Sequence, residues 1–236
     1  MSFFEHLEEL RTRLIIMVAA VFVGSVVGWF VYGPLIGTLT KPLKSALAHH
    51  HNIVNTVIYP SLVGAFTLHI KLAIYTGVVL SLPILVWQIW GFVVPALPTR
   101  FYRYGPYVMV SGVILFVIGG ITGYEIMPLA INFFVSQGSS TGQFLVEASG
   151  YISFVSLIII IFGVSFELPL ILVLLSVAGI TSSGWLWRKR VIAFFIIFAA
   201  AAVITPGADW ISPLVLGGIL YVLFLVSIII AKLVGH

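Results

Sequence analysis

Cysteine is absent from the 236 residues, and charge is scarce: Lys, Arg, Asp and Glu together make up only 8%. Without thiols there are no disulfides and no thiolate metal sites, although this does not reveal the compartment. The shortage of charge excludes more, because a soluble domain carries about a quarter charged residues. Here 61% of the chain is hydrophobic and the mean hydropathy is +1.22. No water-facing surface can be assembled from such a mixture, so lipid has to be the main solvent. Also missing are G-x-S-x-G, H-E-x-x-H and a phosphate-binding loop, which removes the common hydrolase signatures and points away from an enzyme. No lipidation motif and no paired repeat of the two-half transporter type is visible. The net charge of +4 is not a nucleic-acid signal, because the basic residues lie in small scattered clusters.

What the chain has in abundance is long apolar runs. A bilayer core about 30 Å thick takes about 20 apolar helical residues to cross. Runs at 14–32, 72–97, 105–124, 151–176, 191–204 and 211–231 predict an all-α membrane protein with six transmembrane helices. They make a single polytopic membrane domain over residues 1–236, with short fifth and sixth spans. The fifth run alone suits a buried or re-entrant segment, but charge parity favours a crossing. Arg11 and Arg13 precede the first run, and Arg100 and Arg103 follow the second. Arg188, Lys189 and Arg190 follow the fourth, and Lys232 ends the sixth. The positive-inside rule then puts both termini in the cytoplasm. The first run has a mixed-sign flank and ends in WFVYGPL, so it reads as a retained span rather than a cleaved signal.

Residues 33–71 and 125–150 are too long for turns. They are expected to contain short helices and to form a cap on the outer face, with SQGSSTGQ as a flexible tip. Pro83 and Pro169 lie inside runs and should kink them, whereas Pro34, Pro95, Pro128 and Pro206 read as end markers.

Glu167, in FGVSFELPLI, stands out because a carboxylate within a span is expensive and is by default a functional residue. The plainer reading is a protonated side chain hydrogen-bonded to a neighbouring helix, with Gln88 as partner. Glu125 reads as a solvated span end, and Lys71 as a residue that snorkels outward. His49, His50 and His51 are adjacent rather than spaced as metal ligands are, and fit a loop better than a metal site. At the N-terminus, Ser2 and Glu5 match a capping box, and Phe3, Leu7, Leu10 and Leu14 form an interfacial apolar stripe. Glu5, Glu8 and Glu9 crowd beside Arg11 and Arg13. They form either helix pairs (Glu9–Arg13 and Glu8–Arg11) or an acidic patch suited to guanidinium groups. Composition does not choose between these.

The stretch HLEELRTRLI (6–15) resembles the H-L-x-E-L-R-x-R-L motif of the TatC family, the polytopic core of the twin-arginine protein translocase. The likeness continues through KPL (41–43), residues 70–97, residues 151–181 and ITPGAD (204–209). It implies a signal-peptide receptor within a translocase that exports folded proteins, driven by the protonmotive force, with no cofactor. The implied partners are TatA- and TatB-like single-span proteins and twin-arginine signal peptides, in a hetero-oligomer with several copies. In residue terms it places signal-peptide binding on Glu9, with Arg11 in the same motif; Glu5 or Glu8 beside it is expected to add negative charge. It also singles out Glu167 within the membrane, and Pro42 and Asp209 in loops. One departure stands out: the family's first cytoplasmic loop has a glutamate where this chain has Phe101, in PALPTRFYRY. That loop then offers Arg100 and Arg103, and an aromatic ring for a cation–π contact. A second reading of the whole chain is a proton-coupled small-molecule transporter with Glu167 as its relay.

Overall fold

In the computed structural model, residues 3–48, 57–58, 62–96, 99–138, 146–204 and 211–234 are described. Ser2, His49, His50, His51, Pro206 and Asp209 lie outside them, as does most of the SQGSSTGQ tip.

The first apolar run forms α1 (Phe3–Phe30), followed by the short helices α2 (Tyr32–Leu39) and α3 (Lys41–Ala48) and a two-residue strand, β1 (Val57–Ile58). Helix α4 (Leu62–Val93) leads through the 3-10 turns Val94–Ala96 and Thr99–Tyr104 into α5 (Gly105–Gly138). After β2 (Val146–Glu147) come α6 (Ala148–Ser165), α7 (Leu168–Val177), α8 (Ser183–Arg188), α9 (Arg190–Ile204) and α10 (Ile211–Val234). Five stretches are long and apolar enough to cross a membrane: Glu5–Phe30, Val63–Val93, Tyr102–Phe133, Ala148–Val177 and Pro213–Leu233. The predicted fifth span is the shorter α9, whose 15 residues reach about 22 Å at 1.5 Å per residue. The last helix is not short as expected: α10 has 24 residues, about 36 Å, more than the roughly 30 Å of a bilayer core, because its apolar run is unbroken as far as Lys232.

Prolines behave according to their context. Pro83 sits within an unbroken α4, and Pro128, expected at a span end, lies inside α5. Transmembrane helices tolerate an interior proline where the freed backbone groups find other partners. Pro34 likewise falls in the first turn of α2. Pro169 acts differently. It occupies the first turn of α7, and the chain breaks just before it, with the Glu167 amide donating to the Val164 carbonyl at 3.1 Å in a tightened turn. A proline ring obstructs the carbonyl four residues back, so α6 ends and α7 starts afresh.

Contacts divide the chain into two compact units. One comprises Ala20–Ser81 and Gly120–Ile160. Its core holds Leu43, Leu68, Leu72, Met127, Ile152 and Val155. Here α1 and α4 cross at glycines: a Cβ on Gly24 would lie 2.7 Å from the Gly77 carbonyl, and one on Gly28 would lie 2.7 Å from the Ala73 carbonyl. Small residues let helix backbones approach where lipid removes the hydrophobic drive for association. The two long inter-span segments meet in this unit through the parallel pairing of β1 with β2, Val57 opposite Val146. Tyr124 donates its hydroxyl to the Thr38 carbonyl at 2.9 Å, and Tyr151 donates to the Leu39 carbonyl at 2.9 Å.

The other unit comprises Met1–Ala19, Leu82–Gly119 and Ile161–His236. Helix α10 packs on α7 and α9, burying Leu216, Leu220 and Ser227. Phe194, Phe198 and Tyr221 form an aromatic group between α9 and α10, with Phe194 4.4 Å from Phe198 and 5.2 Å from Tyr221. A second cluster gathers Leu82, Val86 and Phe116 with Met109 and Val113.

Candidate functional site

The site is built from the start of α1 and the end of α4, both in the second of these units. On a helix, residues three and four apart share a face, so His6, Glu9 and Arg13 line up. The Arg13 guanidinium donates to Glu9 Oε1 from Nε at 3.0 Å and from Nη2 at 2.6 Å. Its Nη1 reaches α4 and donates to Gln88 Oε1 at 3.1 Å. The arginine lies against Gly91, where a Cβ would fall 2.7 Å from Arg13 Cζ. His6 also meets α4, stacking on Phe92 with centroids 4.4 Å apart. His6 Nδ1 is 3.7 Å from Glu9 Oε2, and that oxygen is buried with no hydrogen-bond partner among the described residues.

Glu9 and Arg13 are only 19% and 22% exposed at their side chains, so this ion pair is not the loose surface kind. Both of its charges are used in directed hydrogen bonds, which are roughly twice as strong when charge-assisted. The cluster therefore amounts to a preformed guanidinium cradle: a carboxylate, an amide oxygen and a glycine that leaves room for the planar group.

The other expected site residues are not gathered in this cluster. Glu5, Glu8 and Arg11 are exposed on α1. Among the described residues no ion pair joins Glu8 to Arg11; Thr12 donates instead to the Glu8 carbonyl at 3.0 Å. Arg103 turns to its own neighbour, donating to the Tyr104 hydroxyl at 3.0 Å and lying 5.0 Å from that ring. The backbone of Phe101 lies in the 3-10 turn Thr99–Tyr104, and its side chain is outside the described set. Pro42 is buried in α3, within the other unit.

Glu167 occupies the N-cap of α7, at the break that Pro169 imposes. A helix N-terminus carries a partial positive charge, which favours a carboxylate there. Oε2 lies 3.3 Å from where a Gly112 Cβ would be, with Val86 packed at the same point. Oε1 is buried without a hydrogen-bond partner among the described residues. Gln88, the partner expected from the sequence, is not the one: its side chain bonds to Arg13, and among the described residues no hydrogen bond joins it to Glu167.

Three residues of the cradle went unmarked in the sequence reading. His6 could have been found from its three-residue spacing to Glu9. Phe92 and Gly91 carry no such signal, because they enter from α4, far along the chain. Among the described residues no group of three metal-ligating side chains occurs.

The fold and site together define a helical, multi-pass membrane protein with a cluster of charged groups at the start of its first helix. Residues 5–218 match the model of the family described as "Sec-independent protein translocase protein (TatC)". The TatC protein of Koribacter versatilis is 33% identical over 99% of this chain and 86% of its own length. That of Carboxydothermus hydrogenoformans is 32% identical over 99% and 94%. A crystal structure described as the twin arginine translocase receptor TatC superposes with a TM-score of 0.83, covering 97% of this chain and 99% of its own at 27% identity. The chain belongs to the TatC family of Sec-independent protein translocases.

Proposed function

We propose that this chain is the receptor for twin-arginine signal peptides and the core polytopic subunit of a translocase exporting folded proteins across the cytoplasmic membrane. The observation that carries the reading is the cradle on α1. Its carboxylate, Glu9, already holds one guanidinium and keeps a buried oxygen, Oε2, without a hydrogen-bond donor among the described residues. A forked guanidinium suits such a carboxylate, whereas an ammonium is a point charge. Glu9 is the principal signal-peptide contact, Glu5 and Glu8 add negative potential at the exposed helix start, and Arg11 is a flanking cytoplasmic cation. Phe101 and Arg103 supply the second loop of the site, where the ring of Phe101 replaces a carboxylate. Both termini lie in the cytoplasm, and six crossings follow if α9 spans a locally thinned bilayer.

The protonmotive force drives transport, and TatA- and TatB-like single-span proteins assemble with several copies of this chain. Glu167 gives a partner span or thinned lipid a polar contact within the membrane, and Pro42 and Asp209 shape the loops. The test is co-purification of the full-length protein with a twin-arginine precursor, in parallel with its paired-lysine version and with the Glu9→Ala variant. Capture of the arginine form alone, lost in Glu9→Ala, is the expected result. Equal capture of both forms by the unmodified protein would refute the receptor role.

A further inference from the structure

Because Glu9 Oε1 accepts two hydrogen bonds from Arg13, the carboxylate is not open to a second forked ligand as it stands. A bidentate approach needs both carboxylate oxygens, and here one is occupied and the other is buried beside His6. We infer that Arg13 is a specificity-determining residue, an internal guanidinium that an incoming signal arginine must displace from Glu9. This rests on the receptor reading above.

Three features make Arg13 suited to exchange rather than to a fixed structural pairing. Its Nη1 is already held by Gln88 from another helix, so the group has an anchor to stay on when it leaves Glu9. Gly91 leaves the space in which the guanidinium plane lies, since any Cβ there would collide with it. Oε2, buried beside His6 and without a hydrogen-bond donor among the described residues, becomes open to an arriving guanidinium once Arg13 moves aside. Selectivity follows from the competition. A second guanidinium can match the two bonds that Arg13 gives up, whereas an ammonium presents no fork and cannot. Arg13 thus sets a threshold that lysine fails, without touching the signal peptide in the final complex.

The experiment measures binding of fluorescent signal peptides, one with paired arginines and one with paired lysines, to the full-length protein in lipid nanodiscs. The ratio of the two affinities is the readout, because a merely structural role for Arg13 would lower both together. Arg13→Gln removes the competitor, and Gly91→Ala pushes it out of the cradle while keeping its charge. Both are expected to strengthen lysine-peptide binding by about tenfold and to narrow the arginine preference, the scale expected for losing one charge-assisted contact. Arg13→Lys, which keeps the charge but loses the fork, should narrow the preference as well. If all three variants bind the arginine peptide and keep the full preference, the inference is overturned. It is equally overturned if Arg13→Gln and Arg13→Lys lose arginine-peptide binding, since Arg13 would then be holding Glu9 in place. Failure of the receptor reading is distinguishable, because the unmodified protein would then show no arginine preference at all.

Discussion

The Tyr151 hydroxyl donates to the Leu39 carbonyl at 2.9 Å, joining the first turn of α6 to the last residue of α2. The contact is buried, and Tyr151 is only 9% exposed. Removing the hydroxyl leaves a buried carbonyl short of a donor. Tyr151→Phe is expected to cost about 1 kcal/mol, as for a typical neutral hydrogen bond. For a chain of this length that is about 2–4 °C in Tm, measurable by thermal unfolding in detergent.

Gly163 and Gly119 lie at the same helix contact but should respond differently to an added methyl. A Cβ on Gly163 would meet the Phe116 ring at 2.7 Å, and one on Gly119 would meet the Phe162 carbonyl at 2.5 Å. Both alanine variants should lose about 1–3 kcal/mol through overpacking. Adding Phe116→Leu should restore much of the stability of Gly163→Ala, since a side chain can be trimmed. No such rescue is expected for Gly119→Ala, where the obstacle is backbone. A double-mutant cycle on Tm separates the two.

His69 stacks between Trp29 and Tyr32, each ring centroid 3.9 Å from its own, and its Nε2 lies 3.0 Å from the Trp29 carbonyl. That carbonyl is in the last turn of α1, where helix carbonyls lack partners within the helix. His69→Phe keeps the stack and loses the hydrogen bond, for an expected loss of about 1 kcal/mol. His69→Ala loses both and should cost at least twice as much. Equal effects of the two variants on Tm would show that the stacking contributes nothing.

Glu167 trades stability for function in our reading, because its Oε1 is buried without a hydrogen bond among the described residues. Glu167→Leu should raise Tm by several degrees, since an unmet buried acceptor costs about 1–3 kcal/mol. The same variant should export a twin-arginine reporter several-fold more slowly. Glu167→Gln keeps a polar group and is expected to retain most export. Loss of export in Glu167→Gln would instead show that ionisation is required.

Part of the site was legible in the sequence. The four-residue step from Glu9 to Arg13 offered their pairing as one of two readings, which the structure shows formed, and Pro169 marked a break beside Glu167. Helix interiors were less readable: Pro128 looked like an end and lies inside α5. Whether a proline ends a helix depends on what surrounds it, which one local window does not contain. The partner of Gln88 was likewise invisible, since Arg13 is 75 residues away.

By itself the sequence determined the solvent and the apolar runs. These follow from local hydropathy and from the cost of placing charge in lipid, both read residue by residue. The tertiary structure alone decided which helix faces meet. In lipid a span is apolar all round, so no amphipathic stripe says which side packs. The choice falls to fine steric fits such as Gly24 on Gly77 and Arg13 beside Gly91. That is why the carboxylate of Glu9 was foreseeable and the cradle around it was not.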